Sequence, residues 1–503
     1  MKLQQMKKTL KLNLLWISFF FIGLFLRLYH IKTNGIWNDE IFTLSIVNLD
    51  WSEFFSFFIE GKDLHPPLHY LFLKIVKLLS FDHVSETGLR IINLLPYPIS
   101  ALALYKFSNK KISFQFSSLI TFSIISLAPN FVYITSELRQ YGLLLSLTVI
   151  FTIALDEFLF LSQGKDHFLV SVLLGFLSIA ISLTQYIGIL ILISFFIGTV
   201  IIIFSKRVIN KLIKLLPAFA IYVLGMIIYS PILIKHIHKT IPYTRTIVDT
   251  LRYLYFSYGY FIFFFLFGGI LVLYQLLKNI NIQKILKHSK YPLLFRIREE
   301  KLNEDFSSLL LLAGIIFFLL ATGINIYNGM NILTIGIVII PVFIISLGVS
   351  TFFEFRHHLG LFLGLSLLTI FLSISLLSST NNFDSNRVST IDETKKAISM
   401  DHSFEPSDEN NTVIIHVDWG ISNKYYEEKI NNIFPNTSVK TFNIANQDEL
   451  SKEIRIIINT SNKKQVYLVS RFANNLTKNL ECDLFFNEIS PYIYSIKMKK
   501  CTP

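Results

Sequence analysis

Apolar runs long enough to cross a bilayer recur along most of this 503-residue chain. A hydrocarbon core takes ~20 residues of helix. Windows of that kind stand at Leu14–Tyr29, Leu89–Phe107, Ser117–Thr135, Gly142–Leu161, Phe168–Leu183, Tyr186–Phe204 and Leu212–Ile232, with others at Leu254–Leu277, Ser307–Ile326, Leu333–Thr351 and Leu359–Leu377. The pattern predicts about eleven transmembrane helices. Between the first two windows the loop Ile31–Gly88 carries Ile41–Val47, Ser52–Ile59 and Leu68–Ser80, which are apolar and aromatic but too short to cross. They read as helices lying in the membrane interface. Leu68–Ser80, with Lys74 and Lys77, is not counted as a span, because counting it would reverse every later orientation against the distribution of basic residues.

From Thr380 the pattern turns polar. Val413–Val417 and Gln465–Val469 read as buried strands, Asn423–Ile433 and Gln447–Ile458 as amphipathic helices, and the Asn/Ser/Asp-rich stretches between them as turns. The expected fold class is an α-helical polytopic membrane protein with a small C-terminal α/β domain. Residues 1–379 form the membrane part, 31–88 its first outer loop, and 380–503 the appended extracytoplasmic domain. The chain has no heptads, no repeat of ~20 to 50 residues and no matched pair of interrupted helices.

Composition identifies the solvent. The chain is 52% hydrophobic and 15% aromatic with 48 Phe and only 16% charged residues, more apolar surface than a soluble globule keeps in water. The net charge of +12 does not indicate nucleic acid. From residue 380 on, 15 Lys+Arg face 16 Asp+Glu, which leaves 31 against 18 in the membrane part, and basic loops there orient helices. With a cytoplasmic N-terminus, Lys106-Lys110-Lys111, Lys206-Arg207-Lys211-Lys214, Lys278–Lys301 and Arg356-His357-His358 all fall inside the cell. The Asp39 loop, the Glu137-Leu138-Arg139 turn, the loop 235–251 and the tail then face the extracytoplasmic side of a plasma membrane. The cluster Lys235-His236-His238-Lys239-Arg245-Arg252 runs against the usual bias there, either as a solvated loop or as a site for an anion such as a lipid phosphate. Lys2, Lys7, Lys8 and Lys11 ahead of the first window have the form of a signal peptide. No small-x-small cleavage site follows, so this is an uncleaved first helix. Cys482 and Cys501 permit a disulfide without establishing one.

Candidate chemistry gathers at span ends on the outer side. Asp39 and Glu40 follow the first window, and a carboxylate at a membrane surface can take a proton from an attacking hydroxyl. The other reading of the pair is a cap on an interfacial helix beginning before Ile41. In His65-Pro66-Pro67-Leu68 the diproline fixes two φ angles and holds His65 rigidly, with His69 one helical turn on. Such an imidazole can donate to a phosphate oxygen, or the prolines simply open a helix. A metal on His65 and His69 would lack a third ligand. Glu137, Arg139 and Tyr141 sit at the junction of the third and fourth windows, where ionisable groups either snorkel or bind a phosphate or sugar. Gln185 and Tyr186 lie at the same level, with Gln185 suited to a sugar hydroxyl, and Arg245 adds a cation from the basic loop. Arg27, at the end of the first window, is expected to snorkel.

The order of these features resembles the membrane glycosyltransferases of the GT-C class, in particular the bacterial family 39/83 group related to protein O-mannosyltransferases and to the aminoarabinose transferases of lipid A. The likeness spans roughly residues 10–350 and is carried by Asp39-Glu40, His65-Pro66-Pro67-Leu68-His69-Tyr70-Leu71, Arg139-Gln140-Tyr141 and Thr184-Gln185-Tyr186-Ile187-Gly188. It implies transfer of a sugar from a polyprenyl-phosphate carrier to an extracytoplasmic acceptor hydroxyl, with inversion at the anomeric carbon. It also implies that Asp39, with Glu40 beside it, acts near the acceptor hydroxyl, and that His65 helps hold the lipid phosphate where the aminoarabinose enzymes often carry Lys. The chain departs from that group at Gln185, where relatives often carry His. It departs again at Asn328-Gly329-Met330-Asn331, where they carry an Arg-Tyr pair before the span containing Pro341.

Phosphate leaves readily, so such an enzyme needs a base for the acceptor and cations for the departing phosphate, and no cofactor or metal is required. The expected partners are membrane lipids, an undecaprenyl-phosphate-linked donor, and an acceptor glycan, lipid or protein, with no nucleic acid. The Lys/Ile/Asn-rich usage of an AT-rich bacterial genome is what points to undecaprenyl. A second reading, a transporter or flippase for lipid-linked glycans, predicts mid-span charges and paired discontinuous helices. A third, a membrane anchor whose tail binds ligand, leaves the acidic loop unexplained.

Overall fold

In the computed structural model of the chain, the described residues are 2–33, 35–63, 65–80, 84–110, 115–161, 165–205, 208–238, most of 306–321, part of 340–347, 412–418, part of 426–435, 438–443, 465–470, 484–490 and 493–498. The chain divides into two compact units, Met1–Ile31 with Trp51–Ser379 and Lys32–Asp50 with Thr380–Pro503. The helices in chain order are α1 (Lys2–Thr33), α2 (Asn38–Asn48), α3 (Trp51–Ile59), α4 (Leu68–Leu79), α5 (Glu86–Ile92), α6 (Pro96–Lys110) and α7 (Gln115–Leu127). They continue with α8 (Pro129–Ser136), α9 (Tyr141–Asp156), α10 (Lys165–Thr184), α11 (Ile187–Ser205), α12 (Asn210–Lys214) and α13 (Leu216–His238).

The first unit is helical. Among the described residues, Leu12–Thr33, Glu86–Asn109, Tyr141–Phe160, His167–Thr184, Ile187–Phe204 and Leu216–His236 are long and apolar enough to cross a membrane. These are the first, second and fourth to seventh apolar windows of the sequence. Phe306–Ala321 is a shorter apolar helix in the window that begins at Ser307. The windows Leu254–Leu277 and Leu359–Leu377, and most of Leu333–Thr351, lie outside the described residues. The short apolar pieces of the first loop are α2, α3 and α4.

The third window differs from its expected single span: it is two helices, α7 and α8, broken at Pro129. Proline excludes the helical region for the residue before it, and Ala128 is extended at φ −66, ψ 126. Proline also lacks an N–H, so the carbonyl four residues back, Ile125, loses its helical donor. Arg27 of α1 supplies the replacement. Its Nη2 donates to the Ile125 carbonyl at 2.7 Å, its Nη1 to the Ser126 and Gly23 carbonyls at 3.2 and 2.9 Å, and its Nε to Thr135 Oγ1 at 2.9 Å. The guanidinium also lies 4.0 Å from the centroid of the Tyr97 ring. Arg27 therefore does not snorkel. It is fully buried, and it staples α1 to both sides of the break.

Further along, α10 packs on α9 and α13. A Cβ at Gly175 of α10 would sit 2.9 Å from the Ala218 carbonyl of α13, and one at Gly225 of α13 would run into the Ile179 side chain of α10. These are backbone approaches of the kind small residues permit inside membranes, where packing rather than water drives association.

The second unit contains α2 and a five-stranded sheet of β1 (Thr412–Asp418), β2 (Ser438–Asn443), β3 (Gln465–Ser470), β4 (Leu484–Ser490) and β5 (Ile493–Met498), in the order β2-β1-β3-β5-β4. β1 pairs in parallel with β2 and β3, and β5 runs antiparallel to β3 and β4. Successive strand residues point to opposite faces, yet Ile414 and Ile415 are both buried, as in a central strand covered on both sides. The predicted strands at 413–417 and 465–469 are β1 and β3. The predicted helix Asn423–Ile433 is described in part, and Gln447–Ile458 lies outside the described residues.

Candidate functional site

One end of the first unit collects most of the polar chemistry. α3 ends at a turn in which Gly61 takes φ +67, a conformation that needs glycine. The last carbonyls of α3 find donors on the final turn of α13: Lys235 Nζ donates to the Ile59 carbonyl at 2.9 Å, and His236 Nε2 to the Phe58 carbonyl at 3.2 Å. Lys235 and His236, expected in a basic loop, are thus helix-end residues that hold α3. Because His236 Nε2 must carry the proton, Nδ1 accepts, and the Tyr186 hydroxyl donates to it at 2.6 Å. The Tyr186 oxygen in turn accepts from the Tyr229 hydroxyl at 2.8 Å. Burial, then Tyr229, then the charge of Asp63 all push the Tyr186 phenol up, so it stays a donor.

Beyond the Gly61 turn, Asp63 is buried with its Oδ1 at 3.0 Å from His65 Nδ1. Burial alone would raise the Asp63 carboxyl. The charge and hydrogen bond of His65 oppose it, joined by the nearby Tyr70 hydroxyl and the charge of Arg139, and the carboxyl is held below its ordinary value. Pro66 and Pro67 then lead into α4, whose first turn carries His69. His69 is fully buried, and its Nε2 is 3.0 Å from Asn93 Oδ1. The Asn93 amide nitrogen donates to the Glu137 and Arg139 carbonyls at 2.6 and 3.2 Å. That fixes Asn93 Oδ1 as an acceptor and His69 Nε2 as a donor. Desolvation pushes the His69 imidazole down to about 3, so it is neutral at physiological pH.

Asn93 is therefore the joint between α4 and the Glu137–Arg139 turn that separates α8 from α9. Arg139 is buried in that turn, and its charge acts on both Asp63 and His69. His65, His69, Arg139 and Tyr186 are brought together around Asp63. Glu137 contributes its backbone carbonyl to the joint, and its side chain is buried. Tyr141, half-buried, opens α9 two residues after Arg139. Gln185 Oε1 is buried without a hydrogen-bond partner among the described residues. Arg245 lies outside the described residues.

Asp39 and Glu40 belong to the second unit. Trp37 is extended, and Glu40, in the first turn of α2, accepts the Trp37 backbone N–H on Oε2 at 3.3 Å. This is the acidic half of a capping box, and the carboxylate is fully buried. Asp39 is half-exposed, and its carbonyl accepts the Thr43 hydroxyl at 3.0 Å.

Sequence reasoning missed Asp63, Tyr70, Asn93 and Tyr229, and it missed what His236 does. Asp63 stands two residues before His65, a spacing that was open to notice. Tyr229 and His236 are polar positions two helical turns apart on an otherwise apolar span. Asn93 carries no local signal. Among the described residues no group of three or more His, Cys, Asp or Glu side chains is arranged to hold a metal ion.

No family model matches the chain, and no curated protein matches it in sequence. Among solved structures it is similar to an oligosaccharyltransferase of Archaeoglobus fulgidus crystallised with zinc and sulfate, at a TM-score of 0.48 and 11% identity, over 96% of this chain and 72% of that one. A likeness at that level carries no argument about function.

Proposed function

We propose that this protein is a membrane glycosyltransferase of the GT-C type that moves a sugar from a polyprenyl-phosphate carrier to an acceptor hydroxyl at the extracytoplasmic face. The observation that carries the reading is the convergence of separate stretches of sequence. Residues 65–71, 139–141 and 184–188, three of the four stretches that carry the resemblance, send His65, His69, Arg139 and Tyr186 to one end of the helical unit around Asp63, with Asn93 and Tyr229 as joints. A transporter would need charged residues along a path through the middle of the spans. Arg27, buried in the first span, is engaged by helix carbonyls.

In this reading the donor phosphate is met by Arg139, whose fork suits phosphate. The hydroxyl oxygen attacks the anomeric carbon from the face opposite the phosphate, the bond to the phosphate oxygen breaks with its electron pair leaving on the phosphate, and the hydroxyl proton passes to a base of the site. The test is reconstitution of the full chain with a panel of radiolabelled polyprenyl-phosphate sugars, comparing wild type with Arg139→Gln. The expected result is transfer from at least one donor and a loss of ~100-fold or more in the variant. Failure of the wild type with every donor, or an unimpaired variant, rules the reading out.

A further inference from the structure

We infer that His65, oriented by Asp63, is the group that takes the proton from the acceptor hydroxyl. The inference rests on the transferase reading above but gives His65 a different role from the phosphate contact that the resemblance implies. Asp63 is buried in the loop between α3 and α4, and its Oδ1 holds His65 Nδ1 at 3.0 Å. A carboxylate in that position selects the tautomer with the proton on Nδ1, which leaves Nε2 as the basic nitrogen. Nε2 has no hydrogen-bond partner among the described residues, and the His65 side chain is a quarter exposed. Pro66 and Pro67 remove backbone freedom immediately after it. This is the nucleophile-activating arrangement of a base held by an orienting acid, with the base open and the acid enclosed.

The neighbours favour the same assignment. The other imidazole of the cluster, His69, is fully buried and tied to Asn93 through Nε2. His236 is buried, with both ring nitrogens engaged by Tyr186 and Phe58. Arg139, Tyr70, Tyr186 and Tyr229 act on Asp63 or are acted on by it, and His69 and Arg139 are the titratable and charged groups that reach this loop from α4 and from the turn before α9. A buried arginine beside Asp63 supplies a fixed positive charge, so the imidazole need not be cationic before the reaction. In the step, the acceptor oxygen bonds to the anomeric carbon, the carbon–phosphate oxygen bond breaks with its electron pair going to the phosphate, and the hydroxyl proton passes to His65 Nε2. The imidazolium formed is stabilised by Asp63 and releases its proton to water.

The experiment compares reconstituted full-length wild type, His65→Gln, His65→Lys and Asp63→Asn with the active donor, measuring kcat and donor KM across pH, with binding of that donor as the check that each site is intact. His65→Gln should lower kcat by ~100-fold or more, keep donor KM within about threefold, and lose the acid limb of the kcat/KM profile. His65→Lys should not rescue, although a lysine would serve as a phosphate ligand. Asp63→Asn, acting as a positioning change, should lower kcat less than His65→Gln does and leave donor KM within about threefold. Rescue by lysine, a raised donor KM at unchanged kcat, or an acid limb that persists in His65→Gln would overturn the inference while leaving the transferase reading standing. A wild type that transfers nothing overturns both.

Discussion

His69 shows that a side chain's surroundings, and with them its charge state, are not written in its local sequence. The sequence places it one turn after His65 in the same aromatic stretch, which makes it a candidate. Nothing local says that it is sealed from water, and a neutral imidazole makes opposite demands from a charged one. Its depressed value gives a stability prediction with a definite sign. The unfolded imidazole takes up a proton near its ordinary 6.5, whereas the folded one resists until about 3. Between those values the unfolded chain binds more protons, so stability falls as pH is lowered, by up to about 1.4 kcal/mol per unit. Asp63 is shifted the opposite way for its type, below the ordinary 3.8, so its contribution is lost only in a lower window. Thermal midpoints of the purified protein between pH 7.5 and 5 should therefore decline with a slope that His69→Gln flattens. An equal slope in the variant would show that another group is responsible.

At the scale of elements, the apolar windows predicted helices well because crossing a bilayer leaves few alternatives for a backbone that must satisfy itself. They failed at Ser117–Thr135, where hydrophobicity is continuous but Pro129 interrupts the hydrogen-bond ladder. A hydropathy window cannot see a missing N–H. The sequence also could not pair that defect with Arg27, a hundred residues earlier, because the pairing exists only once α1 lies beside α7 and α8. The pairing makes a double-mutant prediction. Arg27→Met strips donors from the Ile125 and Ser126 carbonyls and from Thr135, and should destabilise the protein by about 3 kcal/mol. Lysine should not substitute, having no planar fork. Pro129→Ala returns an N–H to Ile125, so Arg27→Met should cost less in that background, by about 1 kcal/mol. Additive losses in a chemical-denaturation cycle would show that the arginine does not answer to the break. The same limit applied in the tail, where β1 and β3 were legible as apolar runs. The strand Tyr494-Ser495-Ile496-Lys497-Met498 alternates polar and apolar residues in a way too brief to stand out.

For the whole molecule, the direction of each helix places the chemistry. α6 and α9 begin at the end of the first unit that holds Asn93 and Arg139, α10 and α13 finish there, and α11 starts there, so alternate turns fall on one side. The opposite end carries Lys106 with Asp156 and Glu157 around one cavity, and Lys211, whose Nζ donates to the Leu159 carbonyl. This is why residues 139, 185 and 236 could be grouped from the sequence once spans were counted, whereas the inward turn of Asp63 could not. It also ties the reaction to an orientation. The far end carries Lys106 near the end of α6 and Lys211 and Lys214 on the short helix α12, and basic residues beside short connections favour the cytoplasmic side. On the proposed orientation the site end faces outward, as the proposed transfer to an extracytoplasmic acceptor requires. Glu53 on α3 and Asn109 at the end of α6 are exposed at the two ends. In a background with Cys482→Ser and Cys501→Ser, Glu53→Cys should react with a membrane-impermeant thiol reagent on intact cells, and Asn109→Cys only after permeabilisation. The reverse pattern would turn the Asp63 cluster toward the cytoplasm, and a transferase acting at the outer face could not be built on it.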